Sequence, residues 1–239
     1  MTPLEAAAAK EAAATYAITK FVRPGIKLGL GSGTTAAFAV KALAKRIAAE
    51  NLTLAGIVST SEETAHLARS LGITVHDNLT PEIIPIDVTI DGADDVDPYF
   101  NLIKGGGGAL LREKIVAKAT LVEVIVVDES KTSDVLGTIF PLPIMIVPYG
   151  WEITKALIER TVGRASVVRK CADGSVFVSN DGLYCIDVAK GSIIDPPTLE
   201  RQLNDIVGVV EVGIFVNIAR NIVIGHADGR VTEPKVAAH

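Results

Sequence analysis

Within the 24 residues from Asp91 to Lys114, DGADDVDPYFNLIKGGGGALLREK, carboxylates, an ammonium group, a glycine run and a helix start come together. The apolar, β-branched segment Ile86-Asp87-Val88-Thr89-Ile90 reads as a strand ending at Asp91, so Asp91, Asp94 and Asp95 follow a strand's carboxyl end. Lys104 then precedes four consecutive glycines, Gly105 to Gly108. Such a run is too costly in chain entropy to be filler, and it lets backbone N–H groups approach a ligand closely. From Ala109 the residues ALLREKIVAKA favour a helix, which puts Glu113 in the first turns, where the helix dipole favours an ionised carboxylate. Singly these are ordinary features, since acids after strands form caps and turns and charged helix residues are usually solvated. The glycines resist that reading, because a turn needs one or two residues at positive φ, not four in a row.

A second chemical stretch lies upstream. Ile26-Lys27-Leu28-Gly29-Leu30 reads as a short strand, followed by Gly31-Ser32-Gly33-Thr34-Thr35 and the helical pattern AAFAVKALAKRIAAE. Strand, glycine and hydroxyl loop, then helix start is an arrangement that offers N–H groups and hydroxyls to a phosphate; an ordinary capped helix start is the competing reading. A dinucleotide site fits poorly. Thr34 stands where the fingerprint wants its last glycine, and the next strand, near Ala55 to Val58, ends in Ser59-Thr60-Ser61 rather than in an acid for a ribose hydroxyl. A monophosphate is therefore favoured, and no nicotinamide cofactor is expected.

The elements that must position these residues alternate. A helix runs to about Val22 and stops before Arg23-Pro24-Gly25; strands are expected at 26–30, 53–58, 73–75, 86–90 and 121–127, with helices after 35, 61 and 109. Alternating βα units predict a parallel sheet with helices on both faces and ligands bound outside the carboxyl ends of the strands. After Asp128-Glu129-Ser130-Lys131 the pattern changes. A strand at 144–147, a helix over YGWEITKALIERTV, an extended stretch at 165–169, a hairpin of 175–179 with 183–188 around Asn180-Asp181-Gly182, a helix at 197–206 and a strand at 209–216 form a β-α-β-β-β-α-β order. That order is a ferredoxin-like split βαβ with one strand added. The fold class expected is thus α/β, a Rossmann-like domain of residues 1–136 plus about 217–239, the apolar Ile222-Val223-Ile224 returning to its sheet, with a smaller α+β domain over about 137–216.

Composition narrows the function classes. Half the residues are hydrophobic but only 5% aromatic, so the core is aliphatic. A net charge of −5 without a basic run speaks against nucleic acid or an anionic membrane as partner. Cys171 and Cys185 are too few for a disulfide scaffold and lie far from any histidine, which suits a reduced, cytoplasmic setting. The N-terminal segment reads as a helix former rather than a signal peptide, and no apolar stretch reaches membrane-spanning length. His66 and His76 lack partners at ligand spacing and read as surface or packing residues.

DGADD, KGGGGALLREK, GLGSGTT and the downstream DESK resemble, in order and spacing, the signature blocks of the A-type ribose-5-phosphate isomerases, over about residues 10–229. The resemblance implies interconversion of ribose 5-phosphate and ribulose 5-phosphate in the pentose phosphate pathway, a sugar phosphate as the small-molecule partner and a homodimer or homotetramer. It implies Glu113 as the proton acceptor and Lys131 as a further substrate-binding lysine. Moving a proton between adjacent carbons needs one base and groups that stabilise charge on the enediolate oxygens. Lys104 and the N–H groups of Gly105, Gly106 and Gly107 are the candidates for the second task. Asp91 and Asp94 would orient sugar hydroxyls and shuttle protons, with Gly92 and Ala93 beside them on the substrate, and Ser32, Gly33, Thr34 and Thr35 would hold the phosphate. Lys10 could add charge near the phosphate, but a solvated helix lysine is the favoured reading. Asp91, Asp94, Asp95 and Asp97 crowd together in sequence, but no histidine joins them and Lys104 can do the same electrostatic work, so a metal-free mechanism is expected. Two departures stand out: Asp95 where the family usually has Glu, and Ser179-Asn180-Asp181-Gly182-Leu183 where it usually reads closer to TDNGN. A non-catalytic sugar-phosphate sensor is the alternative; it needs the phosphate loop but not the base. A sugar-phosphate deaminase or lactonase matches the blocks less well.

Overall fold

The structure, a computed structural model, describes residues 1–237. In chain order it forms α1 (Pro3–Phe21), β1 (Lys27–Leu30), α2 (Gly33–Glu50), β2 (Gly56–Ser59), α3 (Glu62–Ser70), β3 (Ile86–Asp91), β4 (Asp95–Val96), β5 (Leu102–Ile103), α4 (Leu110–Lys118) and β6 (Thr120–Asp128). A 3-10 turn over Glu129–Lys131 leads to β7 (Leu142–Ile146), α5 (Trp151–Val162), β8 (Ser166–Val168), β9 (Tyr184–Val188) and α6 (Pro196–Asn204). The chain ends through β10 (Val209–Val212), β11 (Ile214–Phe215), β12 (Ala219–Gly225) and β13 (Val231–Thr232). These elements divide into two compact units, one of Met1–Ala93, Arg112–Thr132 and Ile218–Ala237, the other of Asp94–Leu111 and Ser133–Asn217. Residues 238 and 239 of the expected return segment lie outside the described residues.

The first unit is built on a six-stranded sheet of order β13-β12-β6-β3-β1-β2, parallel except for β13 at one edge. Its central strands are near-continuous apolar runs, as strands covered on both faces must be. Leu28, Leu30, Ile90, Val124, Val126 and Val223 pack with Val40, Leu43 and Ile57 in one aliphatic core. Helix α1 starts at a capping box between Thr2 and Glu5 and buries Ala9, Ala13, Ala14, Ala17 and Ile18, a stripe at helical spacing. The Ile222-Val223-Ile224 run does return to this sheet, in parallel register with Ile125-Val126-Val127. The strand expected at 73–75 does not form. Ile73 and Val75 are buried, but the segment bonds to β2 only through the His76 N–H on the Ile57 carbonyl, 2.8 Å, so no ladder develops.

The second unit holds a four-stranded antiparallel sheet of order β10-β7-β9-β8, threaded β-α-β-β-α-β, which is the ferredoxin-like arrangement. Leu142, Ile144, Ile146, Ile158, Ile186, Val188, Leu203 and Val212 form its core. The added strand is absent: 175–179 makes only isolated bridges, Val176 to Lys170 and Val178 to Tyr184, although the turn itself forms, with Gly182 at φ 76°. Ser175 and Val178 are exposed, while Phe177 packs on Gly108 and Arg169 rather than on the sheet's apolar core. The strand expected at 209–216 is two strands in two sheets. β10 pairs with β7, whereas β11 joins β5 and β4 in a separate three-stranded sheet. Asp94–Leu111, assigned by sequence to the larger domain, counts within this unit because β4 and β5 pair with β11.

Candidate active site

In the first unit the carboxyl ends of three adjacent parallel strands carry candidate residues. Leu30 of β1 pairs with Ile90 of β3, and Asp91 pairs with Ile125 of β6, which runs on to Asp128. Past β1, Ser32 is the extended residue before α2, and its side chain makes no capping hydrogen bond to the helix. Its hydroxyl instead donates to the Glu113 carboxylate. Glu113 lies in the first turn of α4 and is only 4% exposed, so bulk water scarcely reaches its carboxyl group. Asp91, 2% exposed, ties the loop down: its Oδ1 accepts the N–H groups of Ser32 at 3.1 Å and Gly92 at 2.7 Å. A Cβ on Gly31 would collide with that carboxylate, which is why the loop needs glycine there. Gly33, at φ 79°, and Thr34 are exposed, Thr35 and Ala93 are half-buried, and Gly92 lies beside the Thr35 side chain.

Lys10 is not the solvated lysine expected from sequence. It is half-buried, with its ammonium 3.4 Å from Thr34 Oγ1 and 3.5 Å from Asp128 Oδ2. Asp128 in turn caps the 3-10 turn carrying Lys131, accepting from the Ser130 N–H at 3.0 Å and from its hydroxyl. The β1–α2 loop thus has a cation at its rim as well as N–H groups and hydroxyls, a combination that suits a phosphate.

In the second unit the glycine run and its neighbours form another polar group. Asp94 accepts the Gly106 N–H at 2.7 Å and donates its own N–H to Ile103 O at 2.8 Å. Lys104, 2% exposed, has its ammonium 5.6 Å from the Phe215 ring centre, and its backbone N–H is bonded to Gly213 O at 2.9 Å. The four glycines differ in what they need. Gly105 and Gly108 take positive φ, 108° and 80°, and close a turn through a 2.9 Å bond from Gly108 N–H to Gly105 O. A Cβ on Gly106 would overlap Asp94 and Phe140, whereas Gly107 has open space where a Cβ would sit. Arg169 donates to the carbonyls of Gly105 at 2.9 Å and Gly106 at 3.1 Å, and to both Asp187 oxygens. Burial pushes the nearby Cys185 thiol up to about 12, against the pull of Arg169, so it stays neutral beside that pair.

Two of the acids that crowd together in sequence, Asp95 and Asp97, have separate sets of hydrogen-bond partners. Asp97 closes its own loop, accepting from the N–H groups of Tyr99 and Asn101 and from Asn101 Nδ2. Asp95 accepts from the Ser133 hydroxyl at 2.5 Å and the Gly137 N–H at 2.8 Å; burial raises its pKa, and those hydrogen bonds offset part of the rise. Among the described residues, no group of three or more His, Cys, Asp or Glu side chains is arranged to hold a metal ion.

Residues 56–229 match the family described as Ribose 5-phosphate isomerase A (phosphoriboisomerase A). The chain belongs to that family. A ribose-5-phosphate isomerase A of Cereibacter sphaeroides is 45% identical over 230 residues, 94% of this chain and 90% of the relative. The solved ribose 5-phosphate isomerase A of Methanocaldococcus jannaschii is 34% identical with a TM-score of 0.87, covering 95% of this chain and 98% of that one. A D-ribose-5-phosphate isomerase in complex with phospho-erythronic acid is 33% identical, TM-score 0.87, over 98% and 99% of the two chains.

Within the isomerase family frame, Ser32, Gly33, Thr34, Thr35, Asp91, Gly92, Ala93, Glu113 and Lys131 belong to the first unit, and Asp94, Lys104, Gly105, Gly106 and Gly107 to the second. Two polar residues were not assigned to the site by sequence. Lys10 had one available signal, its place beside the buried alanine stripe of α1. Arg169 had none, since nothing local distinguishes it from a surface arginine. At the Asp95 departure, the shorter side chain accepts from the Ser133 hydroxyl and the Gly137 N–H.

Proposed function

We propose that the chain interconverts D-ribose 5-phosphate and D-ribulose 5-phosphate through an enediolate, with Glu113 as the base. The observation that carries this is Glu113 itself: a buried carboxylate at a helix start, hydrogen-bonded to the Ser32 hydroxyl of the β1–α2 loop. Glu113 takes the proton from C2 of the aldose and returns it to C1. Lys104 and the N–H groups of the glycine run stabilise the negative charge that develops on the oxygens, and preorganised donors of this kind usually supply the largest single part of the rate. Asp91 and Asp94 orient the sugar hydroxyls and carry protons between O1 and O2, flanked by Gly92 and Ala93. Ser32, Gly33, Thr34 and Thr35 hold the phosphate, with Lys131, and the Lys10 ammonium beside Thr34 supports that assignment. A sugar-phosphate sensor would need the loop but not a buried base.

The setting of this reading is a reduced compartment and a self-associating chain. Cys171 and Cys185 are free, which agrees with a cytoplasmic location. Among the described residues no helix is long and apolar enough to cross a membrane. Tyr149, Ile153 and Val207 are large apolar side chains exposed on the second unit, which agrees with a homodimer or homotetramer.

Glu113→Gln tests the assignment. It keeps size and hydrogen bonding but cannot accept the proton, so kcat should fall by at least about 10²–10⁴-fold, the usual worth of general base catalysis. Exchange of the C2 proton with deuterated solvent should vanish with turnover, while binding of phospho-erythronic acid survives. A variant that still turns over within a few-fold of the parent, or still washes in deuterium, moves the base elsewhere.

A further inference from the structure

Arg169 follows β8 directly and grips the glycine run. Its Nη1 donates to Gly105 O at 2.9 Å and Gly106 O at 3.1 Å, while Nε and Nη2 meet the two Asp187 oxygens at 2.8 and 2.5 Å. Asp187 lies on β9, in register with Val167 and Pro143, so the arginine is anchored to the four-stranded sheet. The Phe177 ring lies 5.6 Å from the guanidinium carbon and packs so tightly on Gly108 that a Cβ there would overlap it. A run of glycines has little rigidity of its own. Because each peptide unit is planar, fixing a carbonyl also fixes the N–H of the next residue. The bonds to Gly105 O and Gly106 O therefore set the directions of the Gly106 and Gly107 N–H groups, the first of which meets Asp94 at 2.7 Å.

We propose that Arg169, held by Asp187 and Phe177, is a positioning residue for the isomerisation: it fixes the peptide planes whose N–H groups face Asp94 and the charged oxygens of the intermediate. The inference rests on the isomerase reading above and deepens it. Arginine suits the task because its planar fork bonds two carbonyls and a carboxylate at once, which a lysine ammonium does not reproduce.

The test compares Arg169→Lys, Arg169→Met and Asp187→Asn with the parent. Losing one oxyanion donor costs about 10²–10³ in kcat, and misplacing donors should cost somewhat less. We expect kcat to fall about 10–100-fold in Arg169→Met and less in Arg169→Lys, with KM for ribose 5-phosphate within about threefold. Affinity for phospho-erythronic acid, whose carboxylate carries charge as the enediolate does, should fall in step, while affinity for inorganic phosphate holds. Hydrogen exchange of the 104–111 segment should quicken while the rest of the chain is unchanged. Parent-like kcat and exchange in Arg169→Met would overturn the inference. So would a joint loss of kcat, phosphate affinity and melting temperature in all three variants, which is what a merely structural residue would give. The exchange measurement does not need turnover, so an inactive parent would sink the isomerase reading while the loop result still decides the role of Arg169.

Discussion

At Gly107 the space a Cβ would occupy is open, and the backbone stays out of the positive-φ region that its neighbours Gly105 and Gly108 adopt. Neither packing nor conformation therefore demands glycine there. The remaining physical reason is close approach of a ligand to the backbone. Gly107→Ala should accordingly fold with a melting temperature within about 1–2 °C of the parent, since an Ala at an unstrained site is neutral or slightly stabilising. Its kcat/KM for ribose 5-phosphate should nonetheless drop by about tenfold or more, because displacing a reacting group by even an ångström is costly. A methyl group tolerated in both respects would show that the backbone at 107 does not meet substrate. Burial makes the same point for Lys104 and Glu113: hiding such charges from water is expensive, and function is the usual reason that cost persists.

Among the elements, the break between β10 and β11 does most to shape the second polar group. Gly213 sits at the break, donates its N–H to Pro143 O at 2.8 Å and accepts from the Lys104 N–H at 2.9 Å. A Cβ there would lie 2.5 Å from Lys104 O and 2.7 Å from Pro143 O, two backbone atoms that cannot swing aside as a side chain would. Gly213→Ala should lower stability by about 1–3 kcal/mol, the usual cost of overpacking, or roughly 2–4 °C in Tm for each kcal/mol. Because the strain falls on the backbone of Lys104, the residue after β5, kcat should fall as well. Thermal unfolding and steady-state kinetics on the same preparation check both, and a variant as stable as the parent would mean that β5 and β11 can part without cost. The β1–α2 loop follows a similar logic in the other unit, with Gly31 lying under the Asp91 carboxylate that holds the Ser32 N–H.

For the molecule as a whole, acids that are neighbours in sequence serve separate local hydrogen-bond sets. Asp95 and Asp97 have their oxygens taken up by backbone N–H groups and by Ser133 and Asn101 side chains, which leaves them poorly placed as metal ligands. Isomerisation should therefore survive exhaustive dialysis against EDTA at full rate; loss of turnover with recovery on adding Mg²⁺ or Mn²⁺ would require the acids to be reread as a metal site. The amino-acid sequence by itself determined the alternation of strands and helices, the return of Ile222-Val223-Ile224 to the first sheet, the turn at Gly182 and the residue types a proton transfer needs. These signals arise from neighbours a few positions apart, through periodicity, capping and turn preferences, and they act wherever the chain is placed. Tertiary structure alone decided that 209–216 divides between two sheets, that 73–75 and 175–179 do not complete strands, and that Lys10 and Arg169 turn toward Thr34 and the glycine carbonyls. Those outcomes depend on partners far along the chain, 24 positions for Lys10 and Thr34, 64 for Arg169 and Gly105, 81 for Ser32 and Glu113. Contacts across such spans are set by the order in which strands enter a sheet, and no local pattern of residues encodes that order.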